Sequence, residues 1–351
     1  MRTVEWVEAN GQAAVRMIDQ KQIPWVLSFV DLPDYQAVAA AITDMTVRGA
    51  PAIGASAAFG LALASHQSDA STVEVLLTDL KEAARVLKAS RPTAVNLAWA
   101  VDKLMAIATS GEFRNPDDIR DLLLSEAQSI ADDDVAVNQR IGQHGTRLIQ
   151  DGFTILHHCN TGALATVDYG TALGVIRAAH EQGKQIHVLL DETRPRLQGS
   201  RLSAWELEQL GVSYDILPDT AAGYYMQKGE INLVLVGADR IAANGDTANK
   251  IGTYQVAVLA KENGIPFYSV APTSTIDLSL ESGTQIPIEE RAKEEVLAPY
   301  GNPIVPPHFK ARNPAFDVTP HRYLAGIITE NGIARPPFID SLKHVVAGEQ
   351  V

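Results

Sequence analysis

Over the first third of the chain, apolar residues recur at helical spacing. Stretches 35–45, 55–65, 71–89 and 93–109 are rich in Ala and Leu and predict four helices. The opening run 15–20 predicts a short strand or two. A longer helical pattern covers 117–150, with a break expected at the acidic triplet 132–134. The rhythm then changes. Short apolar runs at 153–157, 186–190, 214–217, 233–236 and 267–270 alternate with helical segments, which indicates a parallel α/β sheet. At 351 residues the chain is long for one hydrophobic core. The reading is an α/β protein with a smaller, mainly helical N-terminal domain over 1–125 and a parallel-sheet domain over 126–351.

Composition narrows the functions available. A formal net charge of −13 gives a surface field that repels nucleic acid and anionic lipid, so an anionic substrate needs a local pocket of donors. The single cysteine, Cys159, excludes an intrachain disulfide and points to a reducing compartment. No apolar run reaches the roughly 18 residues of a membrane span, and the N-terminus lacks the apolar core of a secretion signal. A cytoplasmic protein with neither nucleic-acid nor membrane partners is expected.

In parallel sheets the chemistry collects beyond the carboxyl ends of the strands. Those ends hold the least ordinary residues of this chain: HCNTG at 158–162, DETRP at 191–195, GADR at 237–240 and APTST at 271–275. Cys159 follows a strand and is expected near a helix start, where the dipole lowers a thiol pKa, although a lone cysteine also serves as inert packing. Asp239 follows the strand at 233–236. Partial burial there would let it hold a proton near neutral pH, while capping a helix or pairing with Arg240 are its structural alternatives. His157 shares a strand face with Cys159 and His158 faces the other way, so at most two ligands are local and no metal is assigned. Arg48 precedes a Gly/Pro turn that feeds an apolar helix, an arrangement suited to phosphate oxygens as well as to plain helix entry. Arg91 precedes Pro92 at the head of another helix. Lys250 follows the turn at 244–246, where a solvated surface lysine is the ordinary alternative.

Taken together, VRGAPAIG at 47–54, SRPTAVNL at 90–97, HCNTGALAT at 158–166, DETRP at 191–195, LQG at 197–199, VGADRIAANGDTANK at 236–250, IPIEER at 286–291 and NPAFDVTP at 313–320 resemble the methylthioribose-1-phosphate isomerase family. That family sits in a larger group with the regulatory α, β and δ subunits of the guanine-exchange factor of translation initiation. The resemblance spans nearly the whole chain. It implies a helical N-terminal domain, a Rossmann-like C-terminal domain, a homodimer and no cofactor. It also implies an aldose-to-ketose isomerisation of a small sugar phosphate in methionine salvage. By the same resemblance Cys159 and Asp239 are catalytic, with Asp239 the proton donor, and Arg48, Gly49, Ala50, Arg91, Gln198, Asn249 and Lys250 bind substrate. Whether Cys159 acts as a base or as a shielding wall stays open.

The chain departs from the family run at Arg196, at Asp168 and over 299–308. Arg196 leaves room for ribose 1,5-bisphosphate or 5-deoxyribose 1-phosphate as the sugar. A non-catalytic binding module is the other rival, set against the presence of both Cys159 and Asp239.

Overall fold

The structure, a computed structural model, describes residues 1–9, 11–92 and 94–350. Two compact units emerge, Met1–Ala136 with Ala163–Asp168, and Val137–Gly162 with Tyr169–Val351.

The first unit opens with an antiparallel three-stranded sheet, β1 (Val4–Ala9), β2 (Gln12–Ile18) and β3 (Phe29–Leu32), which is more strand than the sequence pattern suggests. Four helices follow: α1 (Tyr35–Thr43), α2 (Ala50–Gln67), α3 (Val73–Ser90) and α4 (Val95–Ser110). Helix α2 is buried along nearly its whole length, so it is apolar all round and forms the centre of this unit's core. Thr93, where the fourth helix is expected to begin, lies outside the described residues. Helix α5 (Pro116–Gly145) runs unbroken through the acidic triplet. The reason lies outside the helix. Asp132 pairs with Arg2, and Asp134 accepts the Val167 N–H at 2.7 Å, so charges that look helix-breaking in sequence are satisfied by distant partners.

The second unit contains β4 (Thr154–His158), α6 (Ala172–Glu181), β5 (His187–Asp191), α7 (Ala204–Leu210), β6 (Ser213–Leu217), α8 (Ala222–Gln227) and β7 (Leu233–Val236). The hairpin strands β8 (Arg240–Ala242) and β9 (Thr247–Lys250) come next. They lead to α9 (Thr253–Glu262), β10 (Phe267–Val270), β11 (Ile276–Asp277), the short α10 (Glu294–Leu297), β12 (Phe316–Thr319), β13 (Gly326–Thr329), β14 (Gly332–Ala334) and α11 (Phe338–Val346). The main sheet has the order β14-β13-β10-β7-β4-β5-β6, parallel except for β14.

Because successive strand residues point to opposite faces, the sheet separates two cores. Ile155, Val188, Leu233 and Leu235 pack with α6 and α7 on one face. Leu156, Leu189, Val234 and Val236 pack with α8, α9 and α11 on the other. With both faces covered, the strands read as continuous apolar runs in the sequence. The five expected strands all form, and the α/β class holds. A further sheet, β11-β8-β9-β12, lies outside the sequence expectation. Among the described residues no helix is long and apolar enough to cross a membrane.

Candidate active site

The chain builds β4, β5 and β6 outward in one direction, then returns to lay β7 on the other side of β4. This reversal opens a crevice above the carboxyl ends of β4 and β7, the position where open α/β sheets bind ligands. The two strands are parallel with His158 beside Val236. Cys159 therefore follows one strand end, and Gly237, Ala238 and Asp239 follow the other.

Cys159 is buried and has a φ of 70°, left-handed backbone that costs a non-glycine residue about 1–2 kcal/mol. Its N–H donates to Thr193 Oγ1 at 2.9 Å, and its carbonyl accepts from Ser203 Oγ at 2.8 Å. Thr193 is itself left-handed, with φ 65°, and its hydroxyl donates to the Asp191 carbonyl at 3.0 Å. The N–H groups of Thr193 and Arg194 donate to the two oxygens of Asp219, both at 2.7 Å. The loop then folds back so tightly that a Cβ on Gly199 would meet the Asp191 carbonyl oxygen at 1.8 Å, which only glycine tolerates. The expected helix start at Cys159 does not form. Helix α6 begins only at Ala172, because residues 163–168 leave to pack with the first unit.

Behind the cysteine lies a buried histidine–aspartate pair that sequence reasoning missed, and burial raises the Asp191 pKa against the pull of His158. His158 Nδ1 is 2.8 Å from Asp191 Oδ2, and its Nε2 is 2.9 Å from the Ile251 carbonyl. A carbonyl only accepts, so Nε2 carries a proton. Burial works against charge on this ring, but the Asp191 hydrogen bond and the charges of Asp191 and Asp219 outweigh it and raise its pKa. Asp317 adds a further negative charge nearby. His157, on the opposite face, is fully buried with Nδ1 2.8 Å from the Leu235 carbonyl and Nε2 3.5 Å from Thr161 Oγ1, and burial, aided by the charge of His158, lowers its pKa to about 4.

Asp239 is half-buried, and its N–H donates to the Ala248 carbonyl at 2.9 Å where the β8–β9 hairpin begins. Arg240 beside it lies within reach of the charges of both Asp277 and Asp239. At the far end of that hairpin, Asn249 is buried and donates to Thr253 Oγ1 at 3.0 Å. Lys250 donates from Nζ to the Ala315 carbonyl at 2.8 Å and lies 4.5 Å from the Phe316 ring.

Gln198 and Lys250 meet in a shallow, partly open cleft, with Arg196, Arg291, Glu295 and Asn313 in its wall. Gln198 Oε1 is buried there without a hydrogen-bond partner, so the cleft presents an unsatisfied acceptor. Glu295 accepts from Arg196 at 3.0 Å, Arg291 at 2.6 Å and Asn313 at 3.0 Å. Burial opposes its charge, but Arg291 and Arg196 hold it ionised. Arg196 is thus engaged as a strut. Arg291 and Asn313 lie in sequence stretches that stand out as motifs, but nothing local in those stretches indicates a cleft.

The first unit carries Arg48, Gly49, Ala50 and Arg91. Gly49 is the N-cap of α2 at φ 100°, and a Cβ there would meet the Ala165 carbonyl oxygen at 2.2 Å. Arg91 ends α3, three residues before the Ala94 N-cap of α4. A Cβ on Gly54, one turn into α2, would lie 3.2 Å from the Asn96 carbonyl at the head of α4. The two helix starts, with Arg48 and Arg91 before them, therefore lie side by side. Neither N-cap supplies a side-chain hydrogen bond, whereas Asp34 caps α1 and Thr72 caps α3. Uncapped starts leave backbone donors available to an anion.

Comparison with known proteins adds an independent line. Residues 46–336 match the model of the initiation factor 2 subunit family. The chain is 53% identical over 345 residues to the methylthioribose-1-phosphate isomerase of Geobacter metallireducens, covering 98% of this chain and 99% of that one. A crystal structure of 5-methylthioribose 1-phosphate isomerase from Pyrococcus horikoshii OT3 superposes with a TM-score of 0.93 at 49% identity, covering 99% of this chain and 96% of that one. The structure of translation initiation factor eIF-2B, subunit delta, from A. fulgidus superposes at 0.88 with 41% identity, covering 98% and 99%.

Proposed function

Because the chain belongs to the initiation factor 2 subunit family, in the branch of the methylthioribose-1-phosphate isomerases, we propose that it converts 5-methylthioribose 1-phosphate into 5-methylthioribulose 1-phosphate, an aldose-to-ketose step of methionine salvage. The observation that carries this reading is similarity of about half the residues across nearly the full length of an isomerase, with Cys159 and Asp239 both present at the strand reversal.

In an aldose 1-phosphate the anomeric oxygen is esterified, so the ring does not open as in a free sugar. Asp239 protonates the ring oxygen as the C1 bond breaks. The hydrogen at C2 then moves to C1 beside Cys159, and the C2 hydroxyl gives up its proton as the C2 carbonyl forms, which restores the acid. By the family resemblance Arg48, Gly49, Ala50, Arg91, Gln198, Asn249 and Lys250 bind the substrate. The guanidinium groups and Lys250 take the phosphate, whose binding energy is remote from the reacting carbons. No cofactor is required, since the acid and the hydrogen-transfer group are side chains and the anion donors are guanidinium groups, Lys250 and the backbone N–H groups at the starts of α2 and α4. The engagement of Arg196 by Glu295 argues against a second phosphate at that position.

We read the strand order as Rossmann-like, with residues 1–125 acting as the helical N-terminal domain and 126–351 as the catalytic domain. By the family resemblance the protein works as a cytoplasmic homodimer, which sedimentation of the purified chain tests.

Phosphorus and proton NMR of the purified protein with 5-methylthioribose 1-phosphate tests the reaction. The ketose appears with wild type and not with Cys159→Ser or Asp239→Asn at equal concentration. A folded wild-type protein that leaves this aldose unchanged refutes the proposal.

A further inference from the structure

We propose that Thr193 and Ser203 are positioning residues that clamp Cys159 from both sides and so fix its thiol over the strand reversal. Each peptide flank of Cys159 ends on a side-chain hydroxyl, the N–H on Thr193 Oγ1 at 2.9 Å and the carbonyl on Ser203 Oγ at 2.8 Å. These hydroxyls stand at the two ends of the β5–α7 connection, 34 and 44 residues away, Thr193 just past β5 and Ser203 in the helical turn that leads into α7, so they tie the Cys159 turn to both ends of that segment.

The arrangement exceeds what packing requires. A buried N–H and carbonyl are ordinarily satisfied by neighbouring backbone in a sheet or turn. Here the cysteine has left β4 and turned into left-handed backbone, out of reach of the ladder. A β-branched threonine at φ 65° is a rarer conformation still, and it is held by Asp219, whose two oxygens take the N–H groups of Thr193 and Arg194. Two strained residues in hydrogen-bond contact, each over-determined by its surroundings, mark backbone shaped for a task. The Thr193 hydroxyl is fully used, accepting from Cys159 and donating to the Asp191 carbonyl, so it holds one orientation. Ser203 also accepts from Asn160 at 3.1 Å, which ties down the residue after the cysteine.

This inference rests on the reading of Cys159 as a group acting at the sugar, and its test separates the two. Cys159 is the only cysteine of the chain, so alkylation by iodoacetamide, followed by intact mass, reports on its thiol alone. Thr193→Val keeps the shape and removes the hydroxyl, and Thr193→Ser restores the hydroxyl. Misplacing a reacting group by about 1 Å costs on the order of 100-fold, so Thr193→Val lowers kcat by about that factor with KM nearly unchanged. It also alkylates several-fold faster than wild type. Ser203→Ala shows the same pair of changes to a smaller degree, and Thr193→Ser returns both readings to near wild type. Unchanged alkylation in folded Thr193→Val and Ser203→Ala overturns the clamp, whatever happens to turnover. Full turnover by Cys159→Ser, by contrast, removes the catalytic reading of Cys159 and leaves the alkylation result standing as a statement about structure.

Discussion

At the heads of α2 and α4, positive charge gathers before helix N-termini. Arg48 and Arg91 precede neighbouring helices whose N-caps, Gly49 and Ala94, make no side-chain hydrogen bond. At the ends of β4, β5 and β6, polar groups are turned on one another instead. Thr193, Ser203, Asp219, Asp191 and His158 are hydrogen-bonded among themselves or to the backbone around Cys159. The first arrangement suits binding, because available donors and positive charge attract an anion at any small displacement. The second suits chemistry, because reacting groups gain from being fixed before substrate arrives. The two regions should therefore respond differently to substitution.

The largest effect belongs to the strand ends. Asp239→Asn removes the proposed acid while keeping the side-chain shape, and kcat is expected to fall by about 10³- to 10⁴-fold with little change in KM. Steady-state kinetics on the ketose product measures this. A change confined to KM would place Asp239 with the binding residues and break the distinction between the regions.

The buried histidines give the next effect, on stability. His157 has a folded pKa of about 4 against about 6.5 unfolded. Between those values the unfolded chain takes up a proton that the folded one refuses, so stability falls as pH drops from about 6.5 to about 4, by roughly 3 kcal/mol in all. His158 has the opposite sign. Its raised pKa contributes stability that is fully present below the unfolded value and lost as pH rises through the folded one. Urea midpoints of wild type and His157→Gln at pH 5 and pH 7 check the first claim. The substitution is expected to flatten the acid decline, and an equal decline in both proteins would assign it to other groups.

These two regions were also unequally legible in the sequence. Leu233–Val236 and Phe267–Val270 stand out as unbroken apolar runs because both sheet faces are covered. Strand β9, reading Thr247-Ala248-Asn249-Lys250, shows no such pattern. It is set by antiparallel pairing with Phe316–Thr319, about 70 residues away, and that register leaves no local trace. Cys159 and Asp239 were visible as unusual residues at strand ends. Thr193 was visible only as a member of the stretch 191–195, and Ser203 and Asp219 not at all, since their importance lies in which distant backbone group each hydroxyl or carboxylate reaches. The unbroken run of α5 through Asp132 and Asp134 was hidden for the same reason.

A smaller effect is expected at the helix starts. Arg48→Lys keeps the charge but loses the planar fork that meets two phosphate oxygens, so KM rises about 10-fold while kcat stays within a few-fold. Raising salt weakens the wild type in the same direction. A fall in kcat with KM unchanged would instead give Arg48 a part in the chemistry.

The smallest effect sharpens the contrast most, because it sets stability against function at one atom group. Replacing Ala94 by Asp supplies α4 with the kind of cap that Asp34 gives α1, a side-chain oxygen for an N–H of the first turn. Taken alone, that change stabilises a helix by about 1 kcal/mol, and a carboxylate at the positive end of the helix dipole adds a few tenths more. The same carboxylate occupies donors that the phosphate is proposed to use and repels its charge. Ala94→Asp is therefore expected to raise the urea midpoint and raise KM together. An ordinary surface position would gain the stability without the loss of affinity. A stabilised variant with wild-type KM would show that the open start of α4 is unrelated to the substrate, leaving Arg48 and the head of α2 to hold the anion.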